Sequence, residues 1–256
     1  MYNNQDILER SFDLSYISAH LIQAQWAEFV ELKKRINEVF EQQKRPIMIL
    51  DIGVGNGRVP MYLCGVKEMW DMIARYDGTD NAQGCVELAN ANFQQYGIHQ
   101  KASAILFDAQ HLHQWKSHYD MVVITWFTAG NFYPEHFDFK NYMHQEDRLN
   151  LTTNQEFTSI FKSAYALLNP GGQILIGACY IDNESTRLKQ EESYKKMGMD
   201  IITTAADSFT ATRQGFWSQR FTKEKLRAYL PFVPETKIGF IPLDTYDYAM
   251  QVIIRK

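Results

Sequence analysis

Three glycines and a set of carboxylates carry the chemistry that this 256-residue sequence offers most plainly. The run Asp51-Ile52-Gly53-Val54-Gly55-Asn56-Gly57 places glycine at alternate positions. Glycine accepts positive φ and lets a ligand approach the backbone, and a helix that starts just after such a loop offers free N–H groups. A dinucleotide loop would put its third small residue at position 58, where Arg58 stands. This G-x-G-x-G spacing argues against a nicotinamide or flavin dinucleotide, and no Gly-Lys-Ser/Thr follows to make a phosphate loop. Asp80, in Asp77-Gly78-Thr79-Asp80-Asn81, is placed to receive a ribose diol, two hydroxyl donors meeting two carboxylate oxygens. Asp77 is the rival for that role, and a solvated turn is the bland alternative. Asp108, in Phe107-Asp108-Ala109-Gln110, can accept from an exocyclic amine such as adenine N6, or cap a helix that begins at Gln110.

These residues need a scaffold that brings them to one edge. The run Ile47-Met48-Ile49-Leu50-Asp51-Ile52 is short and continuously apolar, as expected of a strand covered on both faces of a parallel sheet. Further strands are expected at 74–79, 102–107, 119–125 and 173–180. Helices are expected at 56–70, 82–96, 111–116 and 154–168. Alternation of this kind implies βαβ units with right-handed crossovers. Leu167-Leu168-Asn169-Pro170-Gly171-Gly172 stops the last of those helices and turns the chain into the fifth strand. The tail differs: a helix at 222–230 capped by Thr222, then strands at 235–243 and 246–254 separated by two residues, a connection that joins antiparallel neighbours.

Taken together and in this order, the Asp51–Gly57 loop, the acidic tip at Asp80, Phe107-Asp108-Ala109, Tyr119-Asp120-Met121-Val122-Val123 and Leu168-Asn169-Pro170-Gly171-Gly172 resemble the class I S-adenosylmethionine-dependent methyltransferases. The resemblance covers about residues 46–256. It implies a three-layer αβα Rossmann-like sheet of seven strands in the order 3-2-1-4-5-7-6, with strand 7 antiparallel. It also implies S-adenosylmethionine as cofactor, with Gly53, Gly55 and Gly57 along the methionine moiety, Asp80 and Asn81 at the ribose, and Asp108 and Ala109 framing the adenine. Asp51 would hold the loop or the donor's amino group, and Thr125, at the end of the fourth strand, is the last of the expected cofactor-binding residues.

The acceptor is less legible. No Asn-Pro-Pro-Tyr or Asp-Pro-Pro-Tyr follows the fourth strand; the segment reads Thr125-Trp126-Phe127-Thr128-Ala129-Gly130-Asn131-Phe132. Gly130-Asn131-Phe132 is similar to the corresponding segment of small-molecule N-methyltransferases that act on amines, the histidine-betaine type included. Lys and Arg number 26 against 30 Asp and Glu, and no basic stripe appears, which argues against a nucleic-acid partner. A small-molecule acceptor is the expectation; an RNA or protein methyltransferase, a donor-binding protein without transfer activity and a nucleotide-binding oxidoreductase are the alternatives. Residues 1–45 read as helical, from Leu21, Ile22, Trp26, Phe29, Val30, Leu32 and Ile36 at three- and four-residue steps, and the resemblance implies that this N-terminal segment folds over the donor as a lid. Two long insertions, at about 130–153 and 182–221, interrupt the alternation after strand ends, where binding loops sit; the second carries a charged helix at 184–196 and a strand-like piece at 209–221. Tyr16, Trp126, Phe127, Asn131, Phe132, Tyr133 and Trp217 are the expected substrate contacts, and the 14% aromatic content reads as pocket lining. No catalytic residue is singled out. His111, His113, His118, His136 and His144 are the candidate proton acceptors, and no set has metal-ligand spacing. Three widely spaced cysteines, no secretory leader and no spanning apolar run point to a reduced, cytoplasmic protein.

Overall fold

The apolar runs become strands because each contributes side chains to two cores at once. The structure, a computed structural model, describes residues 5–134, 137–139, 151–243 and 248–256. The strands are β1 (Ile47–Ile52), β2 (Ile73–Asp80), β3 (Ala102–Leu106), β4 (Tyr119–Ile124), β5 (Leu168–Tyr180), β6 (Phe209–Ala211), β7 (Trp217–Gln219), β8 (Ile238–Pro242) and β9 (Ala249–Arg255). Seven of them form one sheet in the order β3-β2-β1-β4-β5-β9-β8, in which only β9 runs antiparallel to its neighbours. This is the expected 3-2-1-4-5-7-6 topology; the count shifts because β6 and β7 form a separate antiparallel hairpin.

The helices are α1 (Gln5–Phe12), α2 (Ala19–Gln43), α3 (Arg58–Cys64), α4 (Lys67–Asp71), α5 (Gln83–Gln95), α6 (Gln155–Ala166), α7 (Glu184–Lys196) and α8 (Lys223–Tyr229). On one face Leu50, Ile52, Val122, Ile124, Ile174, Ile176, Val252 and Ile254 pack against Phe157 and Phe161 of α6 and Leu226 of α8. On the other, Ile47, Ile49, Met121, Val123, Leu175 and Ile253 meet Phe29, Leu32 and Ile36 of α2 and Phe93 of α5. Each fully buried branched side chain contributes about 1.5–3 kcal/mol relative to exposure, so neither helical layer is dispensable. Side-chain caps start three helices: Asn154 accepts from Phe157 N–H, Asn183 from Thr186 N–H and Thr222 from Lys225 N–H.

Several expectations are corrected. The helix expected at 56–70 breaks at Gly65-Val66 into α3 and α4. Residues 209–221 are not one strand: Gly215, at φ +83°, turns the chain into the β6–β7 hairpin. Residues 235–237 form a 3₁₀ turn before β8, and the connection expected at 244–245 lies outside the described residues. The fifth strand begins earlier, at Leu168, with Asn169–Gly172 bulged out between the Tyr119–Leu168 and Met121–Gln173 pairings. Trp26 and Val30 of α2 are exposed, whereas Glu28 on the same helix is buried. The three cysteines are free thiols, and among the described residues no helix is long and apolar enough to cross a membrane.

Candidate active site

Parallel register carries the chemistry to one edge. Asp51 pairs with Gly78 across β1 and β2 and with Val123 across β1 and β4, so the ends of three strands open side by side. The glycine loop is tied there by its own backbone: Gly53 N–H and Val54 N–H both donate to Thr79 O, at 2.8 and 2.9 Å. Gly53 sits at φ +80°, and a Cβ on it would lie 2.5 Å from Thr128 Cγ2, so no other residue lets the post-β4 segment approach this closely. Asp80, nearly buried, accepts from Gly55 N–H and Ala82 N–H at 3.0 Å each. Burial pushes its carboxyl above the usual range while these backbone donors oppose the shift. Each carboxylate oxygen keeps acceptor capacity for a ligand hydroxyl. Asp108 caps the 3₁₀ turn 109–114 by accepting from Gln110 N–H at 3.0 Å, the capping role expected of it, and also lines the cleft.

After β4 the chain takes an unusual path. Trp126 and Phe127 are both left-handed, at φ 55° and 61°. Non-glycine residues in that region cost of order 1–3 kcal/mol each and persist only where their surroundings hold them. Phe127 stacks on Tyr180 with centroids 3.8 Å apart, and the Arg58 guanidinium lies 4.1 Å from the centre of the Trp126 ring. Thr128 N–H donates to Thr125 O and Gly130 N–H to Phe127 O, closing a 3₁₀ turn that presents Asn131.

Two adjoining cavities result. A cleft of about 380 Å³ is lined by Gly53, Gly55, Asp80, Asn81, Asp108 and Ala109, together with Trp126, Asn131, Phe132, Tyr133 and Trp217. A smaller chamber of about 70 Å³ lies behind it, with Phe12, Trp126, Thr128, Asn131 and Phe216 in both walls. Tyr16 and Phe127 line only this chamber, with Tyr180 and Tyr194. The seven expected substrate contacts therefore fall on these two spaces. Asp51, Gly57 and Thr125 of the expected donor set line neither: Asp51 and Thr125 lie buried behind the loop, and Gly57 caps α3 against the Phe93 ring. His111, His113 and His118 are exposed and line neither space; His136 and His144 lie outside the described residues. The aromatic insertions also close on each other, with Phe209 stacked on Trp217 at 3.8 Å and Phe137 edge-on to Trp217 at 4.6 Å, so part of the aromatic excess is a small core of its own. A polar crevice of about 400 Å³ near Asp182, Arg187 and Asp207 sits apart from the loop; its Arg220 is spent on Gln190, Thr210 and Asp207 O.

Periodicity missed several residues that the fold gathers here: Phe12, Arg58, Thr128, Glu156 and Phe216 in the cleft wall, and Glu28 behind it. Glu28 left one signal, a carboxylate in the stripe Leu21, Ala24, Leu32, Ile36 that α2 buries. Burial pushes the Glu28 carboxyl up to about 7, opposed by the Arg58 charge and the Trp126 N–H bond. Burial likewise raises Asp51 to about 7, against the Tyr76 hydroxyl and Arg58. One guanidinium thus faces two buried carboxyls beneath the loop.

No protein-family model matches the chain, and no curated protein matches it by sequence. Solved structures do resemble it. The CcbJ methyltransferase from Streptomyces caelestis superposes with a TM-score of 0.54 at 12% identity, covering 86% of this chain and 88% of that one. CalS10, an amino pentose methyltransferase from Micromonospora echinaspora bound to S-adenosylmethionine, gives 0.53 at 12% identity over 90% of both chains. An O-methyltransferase family protein from Burkholderia thailandensis gives 0.54 at 13% identity, covering 88% of this chain. The chain spans 55% of that protein's length, and 61% of the length of a Nostoc punctiforme neighbour. The fold is the Rossmann-like fold of class I S-adenosylmethionine-dependent methyltransferases.

Proposed function

We propose that this protein is an S-adenosylmethionine-dependent methyltransferase that acts on a small-molecule acceptor, with an amine nitrogen as the receiving atom. The observation that carries the reading is the convergence of the glycine loop, Asp80 and Asp108 on one cleft that continues into a second, aromatic chamber. The residues suit the donor. Gly53 and Gly55 bring the loop backbone into the cleft wall, Asp80 and Asn81 offer acceptors and donors to a ribose diol, and Asp108 with Gln110 suits a purine edge. Asp51, which lines neither space, holds the loop from behind: its Oδ2 accepts from Tyr76, and its Oδ1 is buried with no hydrogen-bond partner among the described residues.

When bound, the donor supplies an electrophilic methyl on a sulfonium. The chain's part is to orient and to exclude water, since in-line displacement needs the reacting atoms about 3 Å apart and aligned. The rings of Trp126, Phe127, Tyr180 and Phe216 keep the chamber dry and present π-faces to positive charge. Asn131, in the walls of both spaces, can accept from an amine N–H and so aim its lone pair. Residues 1–45 act as the lid of a donor domain made by 46–256: Phe12 reaches the cleft from α1, and Tyr16 and Leu21 close the chamber. Nothing in this arrangement calls for a polyanionic partner, and three free thiols suit a reduced cytoplasmic setting.

Calorimetry with S-adenosylhomocysteine tests the reading. Binding in the micromolar range is expected, with a loss of about tenfold or more in Asp80→Ala, where a diol would lose a charged acceptor. Absence of binding at millimolar product would sink it. A labelled-donor assay on fractionated metabolites then identifies the acceptor.

A further inference from the structure

The buried glutamate of α2 has no place in the donor domain's own motifs, yet it touches the segment that separates the two cavities. Glu28 is 1% exposed, and its Oε1 accepts from Trp126 N–H at 2.9 Å. Trp126 and Phe127 are the two non-glycine residues held left-handed at the end of β4, and both wall the chamber. The Trp126 amide therefore anchors a strained turn, and a carboxyl from a helix outside the donor domain is its acceptor. The fold makes room for it. Gly177 of β5 faces Glu28, and a Cβ on Gly177 would collide with Oε1, Cδ and Cγ together. The second oxygen, Oε2, is buried with no hydrogen-bond partner among the described residues. Holding a carboxyl there costs free energy that a hydrocarbon side chain would not.

We infer that Glu28 is a positioning residue of the donor cleft: through the Trp126 amide it fixes the left-handed Trp126–Phe127 turn against which the donor and acceptor meet, and Gly177 is its seat. The inference rests on the donor-binding reading above. It makes donor affinity depend on α2, although α2 contributes no residue to the cleft wall itself.

The test uses the full chain and S-adenosylhomocysteine, with affinity read by calorimetry and folding read by thermal melting. Glu28→Ala removes the acceptor and is expected to weaken binding about tenfold or more. Glu28→Gln keeps a carbonyl oxygen for the Trp126 amide and places an amide donor beside Asp51, so affinity within about threefold of wild type is expected. Gly177→Ala displaces Glu28 without changing it and is expected to match Glu28→Ala. The double variant is then no weaker than Glu28→Ala alone, because both act through one contact. A merely structural role would lower the melting temperature and leave the affinity of the folded protein unchanged in every variant; that result overturns the inference. So does Glu28→Gln binding as weakly as Glu28→Ala, or additive losses in the double variant. If wild type fails to bind at all, the donor reading itself falls, a different outcome from wild-type binding that ignores Glu28.

Discussion

Tyr76 of β2 donates its phenol proton to Asp51 Oδ2 across 2.6 Å, and both side chains are sealed from solvent beneath the glycine loop. The bond spans neighbouring parallel strands and fixes the rotamer of the carboxyl that opens the loop. Tyr76→Phe keeps the ring and leaves that oxygen without its donor. A loss of about 1–3 kcal/mol in urea unfolding is expected, the cost of an unsatisfied buried acceptor. A midpoint unchanged from wild type would show that Asp51 finds another partner.

The first glycine of the loop is constrained twice, by its φ and by Thr128. Gly53→Ala adds left-handed strain of about 1–2 kcal/mol and a methyl against Thr128 Cγ2. Thr128→Ser removes that Cγ2, so Gly53→Ala combined with Thr128→Ser should recover part of the loss but not all. Full recovery in thermal melts would mean that only the clash matters; no recovery would mean that only the backbone does.

Stability should fall as pH rises through neutrality. Glu28 and Asp51 bind their protons more tightly folded than unfolded, since burial has raised both to about 7. Their contribution is fully present below the unfolded carboxylate range and is lost as pH rises from about 4 through 7. Glu28→Gln removes one of the two titrations. Relative to wild type it should gain on the order of 3 kcal/mol between pH 4 and pH 8. Parallel stability curves for the two proteins across that range would refute the assignment. His20, lowered by burial, acts in the opposite sense below pH 6.5 and cancels in the comparison.

At the other end of the strands, Asp120 of β4 holds the connection between α2 and β1. It is fully buried, accepts from both terminal nitrogens of Arg45 at 2.8 Å, and accepts from Met48 N–H and Asn169 Nδ2. Asp120→Ala leaves Met48 N–H without its carboxylate acceptor and should cost about 3 kcal/mol or more. Arg45→Ala should cost less, about 1 kcal/mol, because the guanidinium is half exposed and two other donors remain. Equal losses in chemical denaturation would contradict this ranking.

Much of this molecule can be read from its residues, and the reason is physical. Ile47–Ile52 and Tyr119–Ile124 are buried on both faces, so apart from one aspartate each, Asp51 and Asp120, they are apolar runs that no solvated helix would carry. Gly53, Asp80 and Asp108 sit at strand ends, and strand ends are fixed once the strands are. What stayed hidden depends on contacts distant in sequence. Periodicity treats a glutamate as a mark of solvent, so the apolar steps that mark the helix include Trp26 and Val30, which are exposed, and omit Glu28, which is buried. Phe12 and Phe216, which line the same cleft, lie 204 residues apart, and no local pattern pairs them. The break at Gly65-Val66 and the turn at Gly215 carry ordinary residues around them, and only the packing of α4 and of Trp217 decides them.

The sheet order has a consequence for biosynthesis. β9 lies between β5 and β8, so β5 presents a bare hydrogen-bonding edge, beside a run of apolar residues, until the segment Ala249–Arg255 has left the ribosome. Through the translation of everything between Tyr180 and Ala249, the nascent chain carries an open template for strand addition. Chaperone dependence during synthesis should therefore exceed what the stability of the finished protein suggests.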